Sequence, residues 1–296
     1  MPHPALHSAH PEFLSLFPPG AAPEQLAEGL TWAEGPVYVP ARQAVIFSDV
    51  RQNRTWAYTD TGALREELNP SGHQNGHCLD AQGCLIACSH GQRALLRQEE
   101  DGTWTVLAER FEGQRLNSPN DVALHPDGSL WFSDPTYGLD KPEEGGTGAP
   151  MELPGRWVFR LGPDGALTAP IRDRLKPNGL AFVDARTLLL ADTGDGATYR
   201  YDLHPDGGAT CAGEHFRVSP GKTDGLRVDE AGRIWSSAGD GVHVLSAGGT
   251  ELGRILFPQT VSNLCFGGPD GTTLYVTAST GFWRVATRVR GQGLEQ

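Results

Sequence analysis

The sequence has few of the features expected of a secreted or membrane-spanning protein. Its 296 residues contain five cysteines without CxxC spacing, which favours reduced thiols in a cytoplasmic protein over a disulfide framework. The first twenty residues lack a basic region followed by an apolar core, so no signal peptide is predicted. No apolar run approaches the length of a membrane span. We therefore expect a cytoplasmic chain with no membrane partner.

Positive charge is also scarce. Lysine and arginine number 24 against 36 aspartates and glutamates, a net charge of −12, which argues against a nucleic-acid partner and leaves room for a cation. Hydrophobic residues make up 38% of the chain, enough for a large core. The 38 glycines and 22 prolines are typical of a protein with many strands and turns, and long helical periodicity is absent.

One hairpin pattern recurs six times along the chain. Each copy has a polar residue, a short apolar strand, a turn and a second apolar strand, and further hairpin candidates lie between the copies. Two hairpins per repeat of about forty residues form the four-stranded unit of a propeller blade. The copies begin at Glu34, Asn75, Asn120, Asn178, Asp224 and Asn263.

This pattern predicts an all-β fold, a six-bladed β-propeller with four-stranded blades around a central channel, as a single domain over 1–296. A β-sandwich is the alternative, but it would not require a polar residue at the same phase of six repeats. Residues 24–32 are expected to add a closing strand, and about 1–20 to form an N-terminal extension. The Gly/Pro/Glu-rich insertion at 138–155 is either a lid over the channel or a disordered surface loop.

The first residues of the six repeats should form a ring at one mouth of the channel. Two carboxylates and four amides meet there, and such oxygen donors suit a hard divalent cation. The alternative is that these residues only cap strand starts. Residues two positions later should line a drier shaft below the ring; they are Pro36, His77, Val122, Leu180, Leu226 and Cys265.

Around these residues the chain resembles the senescence marker protein/gluconolactonase/luciferin-regenerating enzyme-like family. The most specific segments are "RLNSPNDVALHPDGSLWFSDPTYGL" at 115–139, "KPNGLAF" at 176–182 and "KTDGLRVDEAGRIW" at 222–235. "SHGQRALLR" at 89–97 is similar to the bacterial sugar-lactonase branch. The resemblance implies a six-bladed propeller with one divalent metal ion at the channel mouth. Calcium is the first choice, with magnesium, manganese, zinc or iron as alternatives.

The resemblance also implies roles for individual residues. Glu34, Asn178 and Asp224 match the metal-binding positions of the family, and Asn120 matches an asparagine that touches substrate or ligates the metal directly. Asp224 also matches the proposed general base, with water activated by the metal as the alternative. The animal members carry an arginine where this chain has Ser118, so Arg115 or Arg93 is expected to compensate.

Several further residues are candidates for the substrate pocket, each with a structural alternative. Asp134 could cap a turn, as could its counterpart Asp49, and His77 could be a hydrogen-bonded core histidine. The trio Trp32, Trp131 and Trp235 is more typical of core than of a sugar platform. The proposed substrate-binding set is Asn120, Arg115, Tyr137, His77 and Asp134.

These observations predict a gluconolactonase-like carboxylic ester hydrolase that opens a sugar lactone, of the gluconolactone or pentonolactone type, to the aldonate. No Gly-x-Ser-x-Gly motif or Cys–His pairing indicates covalent catalysis. One alternative is an organophosphate or aryl-ester hydrolase that uses the same metal site. The other is a non-catalytic binding propeller, because fold alone does not determine function. The chain is expected to be a monomer or a weak homodimer.

Overall fold

Six antiparallel sheets surround a central channel in the computed structural model, which describes residues 3–146 and 148–293. The predicted six-bladed propeller is confirmed. The N-terminal segment and the first three blades contain β1 (Leu6–Ser8), α1 (Pro11–Ser15), β2 (Glu24–Ala27), β3 (Ala33–Val39), β4 (Ala44–Asp49), β5 (Arg54–Thr59), β6 (Leu64–Leu68), β7 (Gln74–Leu79), β8 (Leu85–Ser89), β9 (Ala94–Gln98), β10 (Trp104–Ala108), β11 (Arg110–Phe111), β12 (Gln114–Arg115), β13 (Val122–Leu124), β14 (Leu130–Asp134), α2 (Tyr137–Asp140), β15 (Trp157–Leu161) and β16 (Leu167–Ile171).

The remaining three blades contain β17 (Pro177–Asp184), β18 (Thr187–Asp192), β19 (Ala197–Leu203), β20 (Ala209–Phe216), β21 (Leu226–Val228), β22 (Ile234–Ser237), β23 (Gly241–Leu245), β24 (Glu251–Leu256), β25 (Asn263–Gly267), β26 (Thr273–Ala278) and β27 (Gly281–Ala286). Single 3₁₀ turns occur at Pro40–Arg42 and Pro142–Glu144. No helix within the described ranges is long and apolar enough to cross a membrane.

The first strand of each blade faces the channel. The inner strands β3, β7, β13, β17, β21 and β25 contact one another in this order, and β25 contacts β3, which closes the ring. Blade 3 illustrates how the sequence forms its hairpins: Val122 pairs with Phe132 and Leu124 with Leu130 across the Pro-Asp-Gly turn. Gly128 has a φ of 85° in that turn, a conformation that favours glycine.

The two ends of the chain complete the last blades. The predicted closing strand is confirmed but shorter, because only Glu24–Ala27 forms β2, which pairs with β27 at the outer edge of blade 6. The segment before it adds a fifth strand to blade 5, where β1 pairs with β24. Phe13 of α1 is buried in the core beside that strand.

The hydrophobic core is divided among the six interfaces between neighbouring blades. Each interface buries its own cluster of apolar side chains from the facing sheets. Trp131 and Trp235, which were predicted to be core residues, are fully buried in two of these clusters. The same repeat therefore supplies both the sheet packing and one polar residue per blade at the channel.

A cavity of about 590 Å³ opens at the far end of the channel. Of the six residues predicted to line the shaft, Leu226 is the exception: it is buried in the core between blades 4 and 5, and Arg227 faces the cavity instead. The predicted lining of the shaft, mostly apolar, was thus wrong at blade 5. The five predicted residues that do line the cavity are Pro36, His77, Val122, Leu180 and Cys265.

Candidate functional site

The proposed metal-binding residues lie at the starts of the inner strands. Glu34 and Asn178 are the second residues of β3 and β17, whereas Asn120 and Asp224 precede β13 and β21 by two residues. Glu34, Asn120 and Asn178 are buried, and Asp224 is partly exposed. Because the inner strands are arranged as a ring, these side chains come from blades 1, 3, 4 and 5 toward one mouth of the channel.

Glycines that follow the ring residues allow neighbouring blades to approach closely. The N–H of Gly76 donates to the carbonyl of Asn120 at 2.8 Å, and the N–H of Gly179 donates to the carbonyl of Asp224 at 2.9 Å. A Cβ at either glycine would collide with the same carbonyl group. The Asn-Gly dipeptides of blades 2 and 4 therefore fix the backbone of the ring residue in the next blade.

The ring carboxylates have unusual electrostatics. Burial raises the pKa of Glu34 well above its ordinary value, and the carboxylates of Asp224 and Asp121 raise it further. Burial raises the pKa of Asp224 to about 7, with Asp121 adding to the effect and the Lys141 ammonium opposing it. Like charges in a poorly solvated site disfavour ionisation of each other. Nearby positive charge would relieve this repulsion.

The donor set fits a hard divalent cation. It offers the carboxylates of Glu34 and Asp224 together with the amide oxygens of Asn178 and Asn120, and it includes no thiol. Within 3–146 and 148–293 no three His, Cys, Asp or Glu side chains are grouped so as to hold a metal. A cation at this mouth would therefore depend on the two amides as well as the two carboxylates.

Asp121 is a third carboxylate that the sequence reasoning missed. It is 1% exposed, and its Oδ2 atom lies 3.5 Å from Asn263 Nδ2 and 3.8 Å from an Arg227 guanidinium nitrogen. Four of the six repeats have glycine at this position, directly after the ring residue. This exception was the sequence signal for Asp121. Close contact between blades favours glycine at this position, and blade 3 has a charged side chain there instead.

Asn75 and His90 also meet at the ring. His90 is 1% exposed, and its Nε2 atom lies 3.3 Å from Asn75 Nδ2 and 3.5 Å from Asn120 Nδ2. Its Nδ1 atom lies 3.2 Å from the carbonyl oxygen of Glu144. Burial lowers the pKa of His90 to about 4. Asn75 begins a repeat, which placed it in the predicted ring. No sequence spacing predicted its contact with His90.

The first half of the insertion packs against this mouth. Tyr137 donates or accepts a hydrogen bond with Thr193 Oγ1 at 2.6 Å, and its ring contacts the ammonium groups of Lys141 and Lys176. The buried Glu144 carboxylate pairs with Lys141 at 2.9 Å and with Arg51 of blade 1 at 3.1 Å. Residues 137–146, called the cover below, are thus held on this side of the channel by side-chain contacts. A lid role for the 138–155 insertion stays a prediction. Thr147 lies outside the described residues.

His77 lies below the ring instead of beside the mouth. Its Nδ1 atom is 2.8 Å from the Gly35 carbonyl oxygen, and its Nε2 atom is 3.4 Å from Gln74 Oε1. Burial lowers the pKa of His77 to about 4. The structure places it as a hydrogen-bonded histidine that supports the backbone next to Glu34 and lines the far cavity.

Asp134 holds the loop that precedes Asn120. Its carboxylate accepts hydrogen bonds from the backbone N–H groups of Asn117 and Ser118, both at 2.8 Å. Asp49 and Asp192 accept backbone N–H groups of the equivalent loops in blades 1 and 4. The loop-capping alternative for Asp134 therefore agrees with its contacts, which position Asn120 indirectly.

The residues expected to compensate for Ser118 do not reach the ring. Ser118 is buried, donates to the Pro135 carbonyl and accepts from the N–H of Gly138. Arg115 donates to the Gln92 carbonyl at 2.9 Å, and Arg93 donates to the carbonyls of Leu116 and Asn117. Both arginines thus bind loop backbone, and no hydrogen bond in the described parts of the chain joins them to the ring.

Comparison with known proteins identifies relatives of this chain. The model of the SMP-30/gluconolactonase/LRE-like region matches residues 32–280. A gluconolactonase of Zymomonas mobilis is 31% identical over 295 residues, covering 90% of this chain and 82% of that protein. The pentonolactonase XacC of Haloferax volcanii is 33% identical over 260 residues, covering 84% of this chain and 81% of that protein.

A solved X-ray structure is also closely similar. Its protein, described provisionally as a gluconolactonase, is 68% identical to this chain. The two structures superpose with a TM-score of 0.95, covering 98% of this chain and all of the other. The similarity therefore extends over the six blades and the N-terminal segment.

Proposed function

This chain belongs to the SMP-30/gluconolactonase/LRE-like family, and we propose that it hydrolyses a sugar lactone of the gluconolactone or pentonolactone type to the aldonate. The two relatives named as lactonases support lactone hydrolysis as the reaction. The observation that carries the proposal is the convergence of Glu34, Asp224, Asn120 and Asn178 at one channel mouth. A scaffold has no need to place two carboxylates together at a poorly solvated channel mouth, since like charges there cost stability.

In the proposed mechanism, Asn120 presents its amide group to the lactone and fixes its position. Asp224 accepts a proton from the water that attacks the carbonyl carbon, and the proton then passes to the ring oxygen as the carbon–oxygen bond breaks. Partial exposure of Asp224 leaves room for that water beside a carboxylate that is otherwise shielded. Tyr137 and the cover formed by residues 137–146 restrict the solvent around the bound lactone.

We propose that Glu34, Asn178 and Asp224 hold a divalent cation, preferably calcium, with Asn120 adjacent. When bound, the ion supplies Lewis acidity toward the lactone carbonyl and stabilises negative charge on its oxygen. Burial raises the pKa values of both Glu34 and Asp224, and the Asp121 carboxylate raises both further. This excess of negative charge supports the assignment, because a cation would compensate it. A neutral, polyhydroxylated substrate matches the oxygen-rich mouth.

The test is pH-stat hydrolysis of fresh gluconolactone and a pentonolactone, corrected for spontaneous opening. Wild type, Asp224→Asn and chelator-treated wild type are compared. The amide is nearly isosteric, so the fold should persist while turnover falls about 100-fold or more, because the proton acceptor is lost. Asp206→Asn, at an exposed turn far from the ring, is the control and should match wild type. Equal rates in all samples would exclude a metal-dependent lactonase.

A further inference from the structure

His90 connects the ring to the cover. It follows β8 in blade 2, it is 1% exposed, and each of its ring nitrogens has a polar partner. On one side, Nδ1 lies 3.2 Å from the backbone carbonyl oxygen of Glu144. On the other side, Nε2 lies within 3.5 Å of the side-chain nitrogens of Asn75 and Asn120. No sequence motif assigns a role to this contact.

The chemistry of the partners determines the tautomer of His90. A carbonyl oxygen can only accept, so Nδ1 must carry the hydrogen that is donated to Glu144. In a neutral imidazole the other nitrogen is then an acceptor. Nε2 therefore accepts N–H groups from both asparagine amides, which can only donate through their nitrogens.

This arrangement fixes the orientation of both amides. An asparagine side chain whose nitrogen faces His90 has its Oδ1 atom on the other branch of the planar amide, where it points away from Nε2. In the described part of the chain, no hydrogen bond is donated to Oδ1 of Asn75 or of Asn120. Both oxygens are thus available to a ligand at the mouth, and Asn75 joins the oxygen donors of the ring.

The position of the Glu144 carbonyl depends on the cover being docked. Arg51 and Lys141 hold the Glu144 carboxylate from two sides. The next residue, Gly145, packs against the ring of His73, where a Cβ would lie about 3.0 Å from two ring carbons. The cover is therefore held where its carbonyl reaches Nδ1 of His90.

We propose that His90 is a positioning residue that couples the cover to the ring: the Glu144 carbonyl selects its Nδ1–H tautomer, and Nε2 then orients the amides of Asn75 and Asn120 with their oxygens toward the ligand. The purpose of this coupling rests on the proposed lactonase function, whereas the tautomer and the metal affinity can be measured without any substrate. A buried histidine that only fills space would not require one tautomer.

The direct test is nitrogen-15 NMR of histidine-labelled protein, with His90 assigned by comparison with His90→Gln. Long-range correlations distinguish a protonated ring nitrogen from an unprotonated one. We expect His90 to be protonated at Nδ1 and unprotonated at Nε2. A ring protonated at Nε2 would overturn the proposal, because that nitrogen could not accept from the asparagines.

Two substitutions separate the contacts of His90. In His90→Gln the longer amide reaches the position of Nε2 and keeps an acceptor for the asparagines, whereas in His90→Asn the amide reaches only the position of Nδ1. We expect His90→Asn to lose about 10- to 100-fold in calcium affinity and in kcat, with a clearly smaller loss in His90→Gln. Calcium affinity is measured by calorimetry, and melting temperatures identify any variant that fails to fold.

A purely structural role predicts equal losses in the two variants, and that result would contradict the proposal. If wild type binds calcium but does not hydrolyse lactones, the proposed function fails while the tautomer and the affinity difference still test His90. If wild type hydrolyses lactones and both variants keep its kcat and calcium affinity, the positioning role is wrong and the proposed function stands.

Discussion

Two sets of carboxylates lie at the same end of the blades, and they differ in what surrounds them. Asp49, Asp134 and Asp192 end second strands and accept backbone N–H groups from the adjacent loops. Glu34 lies at the start of the inner strand β3, and Asp224 lies just before the inner strand β21. The carboxylate of Asp224 raises the pKa of Glu34. Each carboxylate of the first set accepts two backbone N–H groups from its loop. Glu34 accepts one, from Gly35 at 3.0 Å, and lies near the negative charges of Asp224 and Asp121.

The pKa values alone do not separate the two sets. Burial raises the pKa of both Asp134 and Asp224 to about 7. The neighbours differ: backbone N–H groups and Arg93 lower the pKa of Asp134, whereas the carboxylate of Asp121 raises that of Asp224. A strongly shifted group is therefore a candidate for function only when its partners leave charge uncompensated.

The largest expected effect is the loss of cation binding when one ring carboxylate is neutralised. Glu34→Gln should weaken calcium affinity at least about tenfold and lower lactone turnover in parallel, because half of the anionic charge available to the ion is removed. In chelator, the variant should melt no lower than wild type, since the repulsion between Glu34 and Asp224 is gone. Calorimetric titration with calcium and thermal unfolding measure the two effects.

Asp134→Asn is the matched comparison from the loop-capping set, and it should retain wild-type calcium affinity. Full calcium affinity in Glu34→Gln would remove Glu34 from the proposed ligands. A loss of affinity in Asp134→Asn as large as that in Glu34→Gln would erase the distinction between the two sets.

A second, smaller effect should be a loss in the free energy of unfolding when a loop-capping carboxylate is replaced. Asp134→Asn replaces one acceptor oxygen by an NH₂ group, which leaves the N–H of Asn117 or Ser118 without a buried acceptor. We expect a cost of about 1–3 kcal/mol in the free energy of unfolding at pH 8, where both oxygens of the ionised carboxylate accept. Asp192→Asn in blade 4 should lose a similar amount, because Asp192 accepts N–H groups of Leu175 and Lys176 in the same way. Denaturant unfolding measures both, and no loss in either variant would contradict the capping role.

The sequence alone predicted the propeller because its signal is repeated six times. A single polar residue at the start of a strand is compatible with many folds. Six of them at equivalent positions of a repeat, at 34, 75, 120, 178, 224 and 263, indicate a propeller. The ring followed from the same phase, since equivalent positions in a closed ring of blades must meet. The metal-binding roles of Glu34, Asn178 and Asp224 came from the family resemblance and stay predictions.

The sequence could not predict contacts between residues that do not occupy equivalent positions in the repeat. The meeting of His90 with Glu144 joins blade 2 to an insertion that interrupts the repeat, and Asp121 contacts Asn263 across the channel. The shaft prediction failed at Leu226 because alternation from Asp224 does not persist in blade 5, where Arg227 reaches the cavity.

The smallest expected effect is the pH dependence that Asp134 contributes. Its pKa in the folded protein is raised to about 7 by burial, above its ordinary value near 4 in the unfolded chain. A carboxyl group shifted in this direction contributes stability that is fully present below pH 4 and is lost as the pH rises through 7. The advantage of wild type over Asp134→Asn should therefore shrink by about 1 kcal/mol between pH 6 and pH 8. Denaturant unfolding in chelator at several pH values measures it, because Glu34 and Asp224 then contribute equally to both proteins. An advantage that grows with pH would mean that the backbone N–H groups of Asn117 and Ser118 outweigh burial at this carboxylate.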